Sequence, residues 1–160
     1  MIERIVSGGQ TGADRAALDW AIKHGIQHGG WCPAGRLAED GPIDSRYPLK
    51  ETPSRSYVQR TEWNVRDSDG TVVFSIAPVL TGGSKKTIFL AHLHGKPVLR
   101  VSRGPAQAQQ ALLSFIHENR IKVLNVAGPR ASKEPQVAAF VIEVLEKALT
   151  QYLTQRQPTQ

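Results

Sequence analysis

Residue types able to hold an anion gather in three glycine-bearing segments of the chain. The first is Ser7-Gly8-Gly9-Gln10-Thr11-Gly12-Ala13-Asp14-Arg15. Gly8, Gly9 and Gly12 let the backbone come close to a ligand, and a helix opening near Gly12 would aim free N–H groups and its positive dipole end at it. Gln10 and Thr11 can donate hydrogen bonds, Arg15 adds charge, and Asp14 is a candidate acid or base. The spacing is neither the dinucleotide pattern GxGxxG nor a Walker A loop, whose lysine is missing. The competing reading makes Thr11 and Asp14 a capping box and the glycines a tight turn.

The second segment, Thr81-Gly82-Gly83-Ser84-Lys85-Lys86-Thr87, again offers glycines, hydroxyls and cations between a strand-like run and a helix-like one. The third, Asn125-Val126-Ala127-Gly128-Pro129-Arg130-Ala131-Ser132, places Arg130 after a rigid Gly128-Pro129 turn, where a guanidinium suits a carboxylate or phosphate. Ser132 is expected to cap the last helix. Substituting Gly9 or Gly82 by valine is expected to remove ligand binding and leave the fold intact.

Other reactive types are less organised. Trp31 can stack on a flat ring or belong to the core. Cys32, the single cysteine, has no clustered partner and reads as buried and inert, and the five histidines lack zinc-site spacing. Carboxylates gather at Glu39, Asp40, Glu51, Glu62, Asp67 and Asp69, where Arg60 and Arg66 offer ordinary surface pairing. No metal site is expected, and no catalytic residue can be assigned.

The elements that must position these groups alternate. Ile2–Val6 reads as a strand, and Ala13, Ala16, Ala17, Trp20, Ala21 and His24 recur at helical spacing up to a stop at Gly25. A weaker strand is expected over 26–32, then a long loop over 33–53, of a length usually functional or mobile. Thr52-Pro53 predicts a helix cap, with the helix over 54–67. Strands are expected over 71–76, 97–101 and 123–127, and helices over 84–94, from Pro105, and from Ser132 along the stripe Val137 to Tyr152. Five strands alternating with helices imply a parallel sheet covered on both faces, with ligands bound beyond the carboxyl ends of its strands. Residues 1–153 are expected to form a single ligand-binding domain, followed by a polar tail over 154–160.

The segments Ser7 to Asp19, Gly30-Trp31-Cys32-Pro33 with Gly35-Arg36, Ala38-Glu39-Asp40-Gly41, Tyr47-Pro48-Leu49, Glu51-Thr52, Arg60 to Thr71, Leu80 to Ser84 and Asn125 to Ser132 occur in one order. Together they resemble the molybdenum-carrier family, the circularly permuted YpsA-like branch of the SLOG superfamily. The resemblance spans nearly the whole chain. It implies an α/β, Rossmann-like three-layer sandwich with a mainly parallel sheet of about five strands. It also implies a nucleotide-type or molybdopterin-type ligand, or molybdate, at the glycine loops, with Arg36 among the binding residues. The phosphoribohydrolases of the superfamily carry Gly-Gly-x-Gly-Thr with a glutamate shortly after. Here Gly82-Gly83-Ser84-Lys85-Lys86-Thr87-Ile88-Phe89-Leu90 has no acid, which argues against base-releasing hydrolysis.

Composition sets the remaining bounds. In 160 residues, 20 Lys and Arg against 14 Asp and Glu give a formal charge of +6, which favours anionic partners. The positive charges are scattered rather than gathered into a run, so nucleic acid is disfavoured as a partner. One cysteine, no apolar run of bilayer length and no leader pattern suggest a cytoplasmic protein. Homo-oligomers are expected. The function expected is binding or carrying an anionic small molecule, with hydrolysis of a nucleotide derivative as the alternative.

Overall fold

A computed structural model describes residues 1–102 and 104–153; the expected tail over 154–160 lies outside the described residues. The chain runs β1 (Arg4–Val6), α1 (Ala13–Lys23), β2 (Gln27–Gly29), β3 (Trp31–Cys32), β4 (Leu37–Ala38), β5 (Gly41–Pro42), β6 (Lys50–Glu51), α2 (Tyr57–Arg66), β7 (Gly70–Phe74), α3 (Gly82–Leu93), β8 (Val98–Val101), α4 (Pro105–Glu118), β9 (Val123–Ala127) and α5 (Val137–Leu153).

Five strands form one parallel sheet in the order β2-β1-β9-β7-β8. The last strand, β9, therefore inserts between β1 and β7. Every residue of β7 is buried, as a strand covered on both faces requires. Val72 and Phe74 join one core cluster with Ala13, Ala17 and Trp20 of α1, Leu112 and Phe115 of α4, and Phe140, Val144 and Leu145 of α5. Val73 points the other way by the two-residue period of a strand. On that side α2 and α3 pack together, and α3 packs on β7 and β8. The result is the expected three-layer α/β sandwich.

Four local expectations change. The strand over 26–32 is broken at Gly30, whose φ of 127° sends β3 away from β2. The second helix starts at Tyr57 and is capped by the Ser56 hydroxyl, which accepts from the Val58 N–H at 3.2 Å; Thr52 caps nothing. Ser132 is not the cap of α5, which begins five residues later at Val137. The segment 33–53 is ordered: β4 and β5 form an antiparallel hairpin, and β6 pairs with β3. Its own apolar cluster of Cys32, Ile43, Tyr47 and Leu49 closes on Leu18 of α1. Burial there pushes the Cys32 thiol up. No helix among the described residues is long and apolar enough to cross a membrane.

Candidate functional site

Because β9 lies between β1 and β7, the loops that leave the carboxyl ends of these three strands converge. They are the three glycine-bearing segments. They border a cleft of about 400 Å³, walled on one side by α2.

The first and third loops touch each other directly. Ala13 N–H donates to the Pro129 carbonyl at 3.2 Å, and Ala131 N–H donates to Thr11 Oγ1 at 3.0 Å. A Cβ on Gly12, where φ is +79°, would stand 2.5 Å from the Pro129 oxygen. One on Gly128 would stand 2.6 Å from the Phe74 oxygen. These two glycines permit the loops to pack against each other and against the sheet. The capping box of the competing reading is absent: Gly12 is the N-cap and has no side chain, and Asp14 Oδ2 reaches back to Gln10 N–H at 3.2 Å.

The second loop is built differently. α3 opens at Gly82 with Thr81 as N-cap, and Lys85 N–H is the first to bond back, to the Thr81 carbonyl. The N–H groups of Gly82, Gly83 and Ser84 precede it, and no acidic residue occupies the first turn. The positive end of the helix is thus left to whatever enters the cleft. Lys133 Nζ lies 3.2 Å from where a Cβ on Gly82 would be, and Lys86 and Arg130 also line the opening. Ser84 lines the cleft, and its hydroxyl has no protein partner among the described residues and is open to the cleft. Glu134, not singled out from sequence, fixes the strand end beneath by accepting from Ile76 N–H at 2.6 Å and Ser75 Oγ at 3.1 Å.

Of the residues expected at the site, the cleft gathers Gly8, Gln10, Asp14, Thr81, Gly82, Gly83, Ser84, Gly128, Pro129 and Arg130. Gly9, Thr11, Gly12, Arg15, Arg36 and Lys85 do not line it. Gly9, at φ +78°, backs onto the insertion: a Cβ there would lie 2.5 Å from Leu49 Cδ1 and 2.9 Å from Ile43 Cδ1. Gly9→Val therefore strikes the fold first, contrary to the sequence expectation. Gly82, at φ +54°, would also be strained by a side chain. Arg15 grips Asp40 through two nitrogens, at 2.5 and 3.1 Å, and donates to the Gly9 carbonyl. Arg36 donates to the carbonyls of Ile43, Leu49, Asp44 and Tyr47. Both hold the insertion together.

The residue that sequence reasoning missed is Arg60. It is buried beside the first loop, with Nη1 donating to the Gly8 carbonyl at 2.8 Å and facing Asp14 Oδ2 at 3.3 Å. Burial pushes the Asp14 carboxyl up, opposed first by the Arg60 charge and then by the Gln10 N–H. Asn125 stands on the floor, donating from Nδ2 to Thr71 Oγ1 at 3.1 Å. Tyr57, Val58 and Thr61 complete the α2 wall. No three of the described His, Cys, Asp and Glu residues gather to hold a metal ion.

This architecture has known counterparts. The family model described as the circularly permutated YpsA SLOG family matches residues 5–149. The chain is also similar to the "putative molybdenum carrier protein" of Syntrophus aciditrophicus SB, known from a crystal structure. The two are 47% identical, with a TM-score of 0.91 over 93% of this chain and 96% of that one. No curated protein matches. A last strand threaded between β1 and β7, three glycine loops meeting at its end and a match across almost the whole length place this chain in the circularly permutated YpsA SLOG family.

Proposed function

We propose that the cleft binds an anionic small molecule and that the protein is a carrier rather than a catalyst. The observation that carries this reading is the open start of α3. Three backbone N–H groups, the Ser84 hydroxyl facing the cleft and the cations Lys86, Arg130 and Lys133 surround one end of the cleft. Such a site favours a phosphate or another oxyanion. A nucleotide-like molecule, a molybdopterin-type cofactor and molybdate are the candidate ligands, and the name of the similar crystal structure agrees with a carrier of this kind. Molybdenum would enter as an oxyanion or inside an organic ligand, since the donors at the cleft are N–H groups and cations. Hydrolysis finds no support in the comparisons.

Residues 1–153 act as one ligand-binding unit in this reading. Self-association of the chain is the accompanying proposal, checked by light scattering of the purified protein. The test of function is mass spectrometry and elemental analysis of material released from the purified protein on denaturation, with calorimetric titration of orthophosphate. A released anion or saturable phosphate binding supports the reading. Nothing released and no heat of binding up to millimolar phosphate would end it.

A further inference from the structure

The layer of α2 and α3 covers one face of the sheet, and its own outer face is less polar than a solvent-facing helix requires. On α3, Phe89 and Leu93 stand one turn apart and are 56% and 65% exposed. Val79, in the loop that enters α3, and Val58, at the start of α2, are exposed as well. Apolar side chains gathered on one outer face mark an interaction surface.

Spacing and charge say what fits it. Gly82, Lys86, Phe89 and Leu93 follow one another at intervals of four, three and four residues, all of them exposed. That is the seam spacing of two helices packed as a coiled coil, in which a single lysine on the seam can fix the register. Lys86 Nζ lies 5.0 Å from the Phe89 ring centroid, so the N-terminal half of the seam is cationic and the C-terminal half apolar. α3 holds Lys85 and Lys86 and no acid, and cations sit unfavourably near the positive end of a helix. The other end of α3 is negative, and Glu62 of α2 stands beside it, with Oε1 2.9 Å from Nε2 of the C-cap His94. The face therefore carries its own complement: cationic at one end, anionic at the other, with Phe89 between them.

We propose that this face docks a second copy of the chain, the two α3 helices lying antiparallel, seam to seam, about a two-fold axis. A self-complementary surface of this kind closes as an isologous dimer. The register that pairs every seam position sets Gly82 opposite the partner's Leu93 and Lys86 opposite the partner's Phe89. The missing side chain of Gly82 leaves room for the leucine, and the lysine stem lies along the ring. At about 1.5 Å per residue the seam is about 17 Å long. The partner's Glu62, level with the end of its own α3, then comes opposite Thr81. Lys85 leans toward it, because helical side chains tilt toward the N-terminus. Gly82 and Lys86 also line the cleft, so the partner's Leu93 forms part of its rim. The inference rests on the self-association proposed above and goes further by naming the face and its register.

The test is sedimentation equilibrium of the full chain across the micromolar range, beside thermal melts. The wild type should be a dimer. Phe89→Glu and Leu93→Glu should each weaken it about tenfold or more and melt near the wild type, since both positions are exposed. Ile142→Glu, at an exposed position of α5, should leave the dimer intact. Lys85→Glu should weaken the dimer, and adding Glu62→Lys to it should restore association. A dimer indifferent to Phe89→Glu and Leu93→Glu would overturn this face and leave self-association standing. Dissociation by those two variants with no rescue from the charge reversal would overturn the antiparallel register. A monomeric wild type would overturn the face and the self-association together.

Discussion

Gly83 offers a way to separate binding from folding. A Cβ there would meet no atom within 4 Å, and its φ is outside the left-handed region. It stands at the second position of α3 on the lining of the cleft. Gly83→Leu therefore costs no strain, gains at most about 0.8 kcal/mol of helix propensity, and places an isobutyl group where the anion would sit. Losing two charge-assisted hydrogen bonds costs about 3–6 kcal/mol, or two to four orders of magnitude in Kd. Gly9→Val is the contrast. A non-glycine residue in the left-handed region costs about 1–2 kcal/mol, and crowding Leu49 and Ile43 adds about 1–3 kcal/mol. The sum, about 2–5 kcal/mol, lowers Tm by roughly 5–20 °C in a chain of this size. Calorimetry with orthophosphate, beside thermal melts, reads both quantities. Gly83→Leu should melt like the wild type and not bind orthophosphate, and Gly9→Val should melt early. Wild-type affinity in a folded Gly83→Leu variant would place the ligand elsewhere and refute the site.

Arg36→Ala removes the donors that hold four carbonyls of the insertion, and should cost about 2–4 kcal/mol in urea unfolding. Arg130 is half exposed and already lies 3.6 Å from Glu39 Oε2, so Arg130→Ala should weaken orthophosphate only about two- to tenfold, an effect that shrinks further in high salt. Acid should loosen the β4–β5 hairpin. The Ser132 and Thr11 hydroxyls hold the Glu39 carboxyl below its ordinary value, and Arg15 does the same to Asp40. Folded-state values below the unfolded ones give stability that is complete above the unfolded pKa and lost as pH falls through the folded one. Protection factors over residues 37–42, which correct for the intrinsic pH dependence of amide exchange, should therefore be high at pH 7 and fall well below pH 4; a flat profile relative to the β9 amides would count against the clasp.

The glycine loops were legible because their signals are local: a β-prone run, a glycine turn and a helix start adjoin one another in the chain. Their convergence was not, since it depends on β9 entering between β1 and β7, which pairs residues 119 positions apart on one side and 54 on the other. Arg60 was missed for a related reason. Starting α2 at Ser54 instead of Tyr57 misplaces its first turn, and only tertiary packing shows that Arg60 turns toward Gly8. The segment 33–53 reads as loop because its strands are two residues long and its order comes from Arg36 and from contacts with Leu18 of α1.

The same distinction explains which loop remains for a ligand. Sequence alone gives the first and third loops good reasons to bind an anion, and in the fold they do bind one, but it is the protein's own. The Glu39 carboxylate accepts from Ser132 N–H at 3.1 Å, from Ser132 Oγ at 2.5 Å and from Thr11 Oγ1, with Arg130 alongside. Asp40 takes Arg15 in the same way. These internal carboxylates satisfy the donors of the first and third loops and fasten the hairpin over them. Among the described residues the start of α3 has no such carboxylate: its first turn is free of acid, its neighbours are lysines, and the Ser84 hydroxyl has no protein partner. An incoming anion would therefore have to displace Glu39 or Asp40 at the first or third loop, whereas at α3 it meets N–H groups and cations that no side-chain carboxylate occupies.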